Sequence, residues 1–157
     1  MKNFELIPCA DPDEMASLAV DAWLAMIAAA NRDGRPHRVA LSGGRIAQKL
    51  FAVAAGEAAA RKISFAGVDF FWADERCVPA SSPDSNFKTA QEFLFEPLKI
   101  GEGRVHRIRG EESPARAAEL AEKEFRQFAG GETSRLDLVF LGMGEDGHVA
   151  SLFPGKS

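Results

Sequence analysis

The sequence predicts a single α/β domain over residues 1–157, with a mostly parallel sheet flanked by helices. Apolar segments of strand length alternate along the chain with segments whose apolar residues recur every three or four positions, as in helices. Parallel strands need a long connection between them, which is usually a helix, so this alternation favours a parallel sheet. A chain of 157 residues is also long enough to bury a substantial core.

The first predicted helix begins at Asp11 and ends within residues 31–34 (NRDG). Asp11 is suited to cap it, Pro12 suits its first position, and acidic residues follow in the first turn. Residues at helical spacing predict one buried face: Met15, Leu18, Ala19, Ala22, Met26 and Ile27.

Two strands are predicted in the next part of the chain. Residues 38–41 form a short apolar strand that runs into Ser-Gly-Gly at 42–44, and a second helix begins near Arg45. Residues 68–73 (VDFFWA) are rich in aromatic side chains without alternation, as expected of a strand covered on both faces.

Four further elements are predicted: a helix near 85–95 stopped by Pro97, a strand over 105–108, a helix that begins at Ser113-Pro114 and closes at Gly130-Gly131, and a last strand over 136–141. A glycine-rich segment, 142–148, follows the last strand.

Composition excludes several classes of partner. The net charge of −4 and the scattered basic residues argue against nucleic acid, whose binding depends on neutralising phosphates. The longest apolar run, residues 22–30, is far shorter than the roughly 20 residues that span a bilayer, and the N-terminus lacks a signal-peptide core. We therefore expect no membrane partner and a cytoplasmic location. Cys9 and Cys77 show no metal-ligand spacing and are expected to be free buried thiols, without a metal site.

Polar segments follow three of the predicted strands, at 42–44, 74–76 and 142–148. The carboxyl ends of parallel strands meet at one edge of a sheet, and ligands of open α/β sheets bind just beyond that edge. This coincidence predicts a small-molecule site.

The Ser-Gly-Gly segment allows two interpretations. Ser42, Gly43 and Gly44 precede a helix, so backbone N–H groups can approach a phosphate there, and Arg45 can add a cation. The alternative is a tight turn without a ligand.

The segment after the second strand is also ambiguous. Asp74, Glu75 and Arg76 can form a cluster for acid–base chemistry or substrate orientation. The alternative is a solvated turn with a surface ion pair.

Two nucleotide-binding patterns fail on their context. Residues 142–147 match GxGxxG, but the helix and the acidic residue about 20 positions later that a dinucleotide site needs do not follow. The Gly-Lys-Ser at 155–157 lacks the preceding glycine of a P-loop, since position 150 is alanine.

His148 is the best candidate for a catalytic residue. Histidine titrates near neutral pH, and Asp146, two residues earlier, can hold its tautomer. His37 and His106 lack such a setting and are interpreted as surface or structural residues.

Several segments resemble one family. LDLVFLGMGEDGHVASLFPG (136–155) closely resembles the signature of the 6-phosphogluconolactonases, DERCVPASSPDSNFKTA (74–90) is similar to their second motif, and VALSGG (39–44) to their first. HRIRGEESPARAAELAEKEF (106–125) is similar to their linking segment. The ordered motifs extend over nearly the whole chain.

The resemblance implies the family's α/β fold and hydrolysis of 6-phospho-D-glucono-1,5-lactone to 6-phosphogluconate in the oxidative pentose phosphate pathway, without a metal or organic cofactor. The partner is then a small sugar-phosphate lactone, and the chain is a monomer or a weak homo-oligomer. The resemblance also implies a further C-terminal part, so that the chain corresponds to a truncated member whose last strand is an exposed edge.

The resemblance implies roles for individual residues. His148 is the general base for the attacking water, with Asp146 and Arg76 as active-site partners and Asp74 in the same cleft. The phosphate or sugar rim contains Ser42, Gly43 and Gly44, and N–H groups near Gly144 and Gly147 are a hypothetical oxyanion site. The usual Ser-Thr-Pro after Ser-Gly-Gly is replaced by Arg-Ile-Ala at 45–47, which leaves Arg45 as the replacement phosphate ligand.

Two other functions stay open at this point. One is an isomerase/deaminase of amino-sugar phosphates on the same fold, which shares a similar GxGxDGHxA loop. The other is an inactive, truncated protein that binds sugar phosphates. The segments 74–76 and 84–86 are closer to the lactonases.

Overall fold

The computed structural model of the chain describes residues 4–128 and 135–155. In that part, three parallel strands form a sheet flanked by helices, which confirms the predicted fold class. The strands are β1 (His37–Leu41), β2 (Val68–Trp72) and β3 (Leu138–Val139). The helices are α1 (Pro12–Arg32), α2 (Arg45–Arg61), α3 (Asn86–Ala90), α4 (Glu96–Leu98) and α5 (Pro114–Phe128).

The sheet has the order β2–β1–β3, so the central strand β1 pairs on both sides. Leu41 at the end of β1 lies opposite Trp72 at the end of β2, and Ala40 lies opposite Val139 of β3. The carboxyl ends of the three strands are therefore level at one edge. The chain passes from β1 to β2 on one side and returns to the other side with β3, which creates a switch point of the kind where α/β proteins bind ligands.

Successive residues of a strand point to opposite faces of the sheet, and each face packs against its own hydrophobic layer. The main core lies between one face of the sheet and α1, α2 and the helical segment after β2, and its largest fully buried side chains include Trp23, Phe51 and Phe70. Ala40 and Phe71 face the other way and pack against Phe125 of α5 and Leu136.

The first helix begins as the sequence predicts, but its predicted buried face is wrong: Met15 and Leu18 are exposed, and of the predicted residues only Ile27 is buried. The Asp11 carboxylate accepts hydrogen bonds from the N–H groups of Asp13 (2.8 Å) and Glu14 (2.9 Å), and Pro12 occupies the first position of α1. The starts of α2 and α5 also lie where they are predicted.

The helix predicted to stop at Pro97 instead continues to Leu98. α3 passes into a single π-helical turn, Gln91–Phe95, and then into α4, which contains Pro97. A proline inside a regular α-helix collides with the carbonyl four residues earlier, and a wider turn before it relieves that collision. The segment ends where Lys99 adopts a left-handed conformation, with φ 54°.

Residues 105–108 do not form the predicted strand. Only Val105 bridges to Phe70 of β2, and the His106 N–H donates to the Phe70 carbonyl over 2.8 Å. The His106 ring then lies 3.1 Å from a Glu124 carboxylate oxygen on α5. The His106 side chain is thus bonded to α5, whose Phe125 packs on the same face of the sheet.

The last strand is shorter than the predicted 136–141. Only Leu138–Val139 has regular pairing, although the N–H groups of Asp137 and Phe140 also donate to carbonyls of β1 over 2.8 and 2.9 Å. β3 lies at the edge of the sheet described here, and Val139 is 43% exposed.

Three smaller expectations concern single features. The predicted closure of the last helix at Gly130-Gly131 lies outside the described residues. The prediction of two buried thiols is wrong, because Cys77 is exposed and Cys9 is only partly buried. Within the described part of the chain, no helix is long and apolar enough to cross a membrane.

Polar contacts at the amino end of the sheet hold β3 against β1. The Asp137 carboxylate accepts hydrogen bonds from the Arg38 N–H (2.8 Å) and the Arg35 guanidinium (2.9 Å). Burial alone raises the pKa of Asp137, but these hydrogen bonds outweigh it and lower the pKa below 3.8. Next to it, the buried His37 accepts a hydrogen bond at Nε2 from the Trp23 indole over 3.2 Å. Burial lowers the pKa of His37 below 6.5.

We predict that His37 makes the free energy of unfolding depend on pH between 7 and 5. Below pH 6.5 the unfolded chain takes up a proton at His37 that the folded chain resists, so stability falls as the pH falls. A single group adds a slope of at most about 1.4 kcal/mol per pH unit. His37→Gln keeps an acceptor for Trp23 but cannot titrate, so its stability should fall less over this range. Urea unfolding of both proteins at pH 5, 6 and 7 measures the difference, and equal slopes would contradict the prediction.

Candidate active site

A cavity of about 300 Å³ lies at the carboxyl ends of the three strands. Its walls come from the loop after each strand, and Asn86 at the start of α3 completes them. Most of the predicted site residues line it: Ser42, Gly43, Gly44, Arg45, Asp74, Arg76, Gly144 and His148. Asp146 contacts the His148 ring from outside the cavity wall, and Gly147 lies in the same loop without lining it.

A larger cavity, about 570 Å³, lies between the helical segment 86–98 and residues 105–112. It contains none of the predicted site residues. Cavity volume alone therefore does not identify the site, whereas the meeting of three polar loops does.

Asp146 and His148 form a hydrogen-bonded pair. Nδ1 of His148 lies 2.5 Å from an Asp146 carboxylate oxygen, and the His148 N–H donates to the same oxygen over 3.3 Å. These bonds lower the pKa of Asp146 below 3.8, so Asp146 is ionised at neutral pH. A carboxylate at Nδ1 places the ring proton there and leaves Nε2 as the basic nitrogen. Phe153 stacks on the ring with centroids 4.8 Å apart, which restricts its orientation.

Gly144 leaves the space that the His148 ring occupies. A Cβ atom at position 144 would lie 2.2 Å from Cε1 and 2.3 Å from Nδ1 of His148. Any side chain there displaces the ring or the Asp146 carboxylate. The glycine is therefore required for the close approach of the Asp146–His148 pair to the backbone at position 144.

The N–H groups of Gly144 and Gly147 take part in hydrogen bonds within their own loop. The Gly144 N–H donates to the His148 carbonyl over 2.8 Å, and the Gly147 N–H donates to the Gly144 carbonyl over 2.9 Å. Both N–H groups are thus used to close the loop and are not directed at a substrate oxyanion. The oxyanion site expected at N–H groups near Gly144 and Gly147 stays a prediction, but these two N–H groups are themselves already bonded.

Three side-chain hydrogen bonds connect the loops around the cavity. The Ser42 hydroxyl donates to the Phe140 carbonyl (2.7 Å), and the Ser151 hydroxyl donates to the Asp74 carboxylate (2.8 Å). The Asn86 carboxamide donates to the Asp74 main-chain carbonyl over 3.0 Å. Asp74 therefore contacts both α3 and the loop that contains His148.

The two glycines of the first loop are needed for different reasons. A Cβ atom on Gly43 would lie 1.7 Å from Oδ1 of Asn86, so the backbone approaches that side chain too closely for any other residue. Gly44 has φ 96°, a conformation that other residues rarely adopt, and it immediately precedes α2. Among the described residues no side chain caps α2, and its first two residues, Arg45 and Ile46, line the cavity.

The sequence reasoning missed two residues of this site. Asn86 and Ser151 lie within segments quoted for their family resemblance, but neither has a residue type or spacing that points to chemistry by itself. His37 and His106, interpreted as surface or structural, are both buried away from the cavity. No group of His, Cys, Asp and Glu within residues 4–128 and 135–155 is arranged to hold a metal ion.

Comparison with known proteins gives a consistent result. A family model described as glucosamine-6-phosphate isomerases/6-phosphogluconolactonase matches residues 10–157. The chain is 38% identical over 122 residues to a 6-phosphogluconolactonase of Haemophilus influenzae, covering 78% of this chain and 52% of that protein. It is 42% identical over 118 residues to a 6-phosphogluconolactonase of Treponema pallidum, covering 74% and 48%. The chain thus spans about half the length of these relatives.

A solved structure agrees with the sequence comparison. The crystal structure of 6-phosphogluconolactonase from Thermotoga maritima superposes with a TM-score of 0.76 at 33% identity. The superposition covers 88% of this chain and 60% of that one.

We predict that Gly144→Ala disrupts the Asp146–His148 pair. The added methyl group occupies the position of the His148 ring, so the pKa of Asp146 should rise toward 3.8. Gly142→Ala is the matched control, since a Cβ atom there meets nothing within 4 Å. NMR titration of the Asp146 carboxyl in both variants and the wild type measures the effect. An unchanged Asp146 pKa in Gly144→Ala would refute the proposed steric role.

Proposed function

This chain belongs to the glucosamine-6-phosphate isomerase/6-phosphogluconolactonase family, and from this premise we propose that it hydrolyses 6-phospho-D-glucono-1,5-lactone to 6-phospho-D-gluconate. The observation that supports the proposal most is the Asp146–His148 pair at a cavity that two arginines also line. The relatives named 6-phosphogluconolactonase support the lactone, rather than an amino-sugar phosphate, as the proposed substrate. The reaction belongs to the oxidative pentose phosphate pathway.

His148 acts as the general base in the proposed mechanism. Its Nε2 takes a proton from a water molecule as the water oxygen attacks the lactone carbonyl carbon. The carbonyl oxygen becomes an oxyanion, and the ring C–O bond then breaks as His148 returns the proton to the leaving oxygen. Asp146 holds Nδ1 and stabilises the imidazolium that forms between the two steps.

The two arginines correspond to two negatively charged groups of the reaction, the substrate phosphate and the oxyanion that forms at the carbonyl oxygen. Arg45 lies at the first turn of α2, where uncapped N–H groups and the helix dipole favour a phosphate. Arg76 lies in the loop after β2 and lines the same cavity. We assign the phosphate to Arg45 with the α2 N-terminus, and the oxyanion to Arg76, because the N–H groups of Gly144 and Gly147 are used within their loop.

The proposed reaction involves no metal or organic cofactor. A lactone is already an activated ester, and a positioned water with a base is sufficient to open it. The substrate is a small sugar phosphate, and the cavity at the strand ends is its binding site.

We predict that the purified chain accelerates lactone hydrolysis and that His148→Ala lowers kcat/KM by about 10²-fold or more, the range of a lost general base. Proton release from the lactone, with spontaneous hydrolysis subtracted, measures both. Glu145→Ala is the control, because Glu145 is an exposed residue of the same loop outside the cavity wall. Full activity in His148→Ala would remove His148 from the mechanism.

The same assay distinguishes the other two functions. Turnover of glucosamine 6-phosphate without lactone hydrolysis would identify an isomerase/deaminase. Protection against heat by 6-phosphogluconate without turnover of either compound would identify a sugar-phosphate binder, because a ligand that binds only the folded state raises its apparent stability.

We predict that Arg45→Ala raises the KM for the lactone by about tenfold with little change in kcat, because a charge-assisted contact to the phosphate is lost in the ground and transition states alike. Arg61→Ala is the control on the same helix, since Arg61 lies at its far end and pairs with Asp21 and Glu57. Steady-state kinetics of both variants test the assignment. An equal KM for Arg45→Ala and the wild type would place the phosphate elsewhere.

A further inference from the structure

The Glu75 carboxylate lies at the centre of a set of four hydrogen bonds. Its Oε1 accepts from the N–H groups of Arg76 (2.7 Å) and Asn86 (2.7 Å). Its Oε2 accepts from the Phe87 N–H (2.9 Å) and the Ser85 hydroxyl (3.0 Å). An ionised carboxylate has about four acceptor positions, and each of these bonds occupies one of them.

This arrangement separates Glu75 from the acid–base chemistry of the site. Its oxygens are directed at the start of α3, and Glu75 is not among the residues that line the cavity. A carboxylate held by three N–H donors and a hydroxyl has no position left for a water or a substrate proton. The sequence allowed Glu75 to be part of a reactive cluster or of a solvated turn, and its contacts fit neither. Its carboxylate is instead a cap that joins two segments of the chain.

We propose that Glu75 is a positioning residue, which sets the places of Arg76 and Asn86 at the cavity by binding the loop after β2 to the first turn of α3. The proposal rests on the proposed function for its kinetic consequences. It adds Glu75 and Asn86 to the residues on which substrate binding depends.

Glu75 is connected to the cavity through two residues that are hydrogen-bonded to it, Arg76 and Asn86. Arg76 is bonded to Glu75 through its own N–H, and it lines the cavity. Asn86 is bonded through its N–H as well, and its carboxamide donates to the Asp74 carbonyl while its Oδ1 lies against Gly43. Asn86 is only 5% exposed, so its side chain has little space in which to move.

An isosteric neutral residue tests this role. In Glu75→Gln the side chain has the same shape, but one oxygen is replaced by an NH₂ group. Whichever way the carboxamide turns, its NH₂ group faces at least one N–H donor, either those of Arg76 and Asn86 or that of Phe87. The substitution therefore breaks the cap without changing its volume.

The experiment compares the lactone kinetics of the full chain in three variants. Glu75→Gln should raise KM by about tenfold, the order expected for losing hydrogen bonds to a charged group. kcat should also fall, by less than 10²-fold, because Arg76, the proposed oxyanion residue, is displaced. The pH dependence of kcat should stay close to the wild type, because His148 lies on a different loop. Ser85→Ala removes one of the four bonds to Glu75, together with the bond that Ser85 accepts from the Lys88 N–H, and should raise KM less. Glu112→Gln is the control, since it neutralises an exposed carboxylate outside the site.

Two outcomes would overturn the proposal. If kcat in Glu75→Gln falls by 10²-fold or more and its pH dependence changes, Glu75 is an acid–base residue. If the folded variant has both the KM and the kcat of Glu112→Gln, the cap does not position the site.

Hydrogen exchange separates this proposal from the proposed function. The amide protons of Asn86 and Phe87 should exchange faster in Glu75→Gln than in Glu112→Gln, whether or not the chain hydrolyses the lactone. A wild-type chain without lactonase activity would refute the proposed function, and the exchange rates would still decide for or against Glu75. Equal exchange in the two variants would refute the positioning role.

Discussion

The pairing of β3 with the central strand β1 is the constraint on which the candidate site depends. The loop that contains Asp146 and His148 follows β3, so the register of this short strand determines where the pair lies. Asp137 sets that register, because its carboxylate and its N–H both bond to the backbone of Arg38. A shift by one residue would turn the side chains of β3 to the opposite face.

The cavity lies where loops that are distant in sequence meet, and side-chain hydrogen bonds join the third loop to each of the other two. Ser42 bonds to the carbonyl of Phe140, 98 residues away, and Ser151 bonds to Asp74, 77 residues away. Asn86 adds a contact from α3 to Asp74. The strands end level with one another and hold these loops in place. The loops in turn provide the polar side chains of the site.

Acidic residues near the cavity have different roles, and their surroundings decide which. Asp146 has one histidine as its principal partner and is 61% exposed, and in the proposed mechanism it stabilises the charge that forms and disappears on His148. Glu75 is surrounded by four donors and serves only to hold two segments together. Asp74 joins the second loop to the third through Ser151. The residue type alone does not distinguish these cases.

The sequence by itself determined the features that depend on local patterns. The cap of α1, the starts of α2 and α5, the alternation that implies a parallel sheet and the polar segments at the strand ends are all visible in short stretches of chain. Only the tertiary structure decided that Pro97 lies within a helical segment, that Glu75 is a cap and that the N–H groups of Gly144 and Gly147 close their own loop. The first group of features rests on backbone propensity and periodicity between neighbours, whereas each member of the second depends on where a carbonyl or an N–H group finds its partner after the chain has folded.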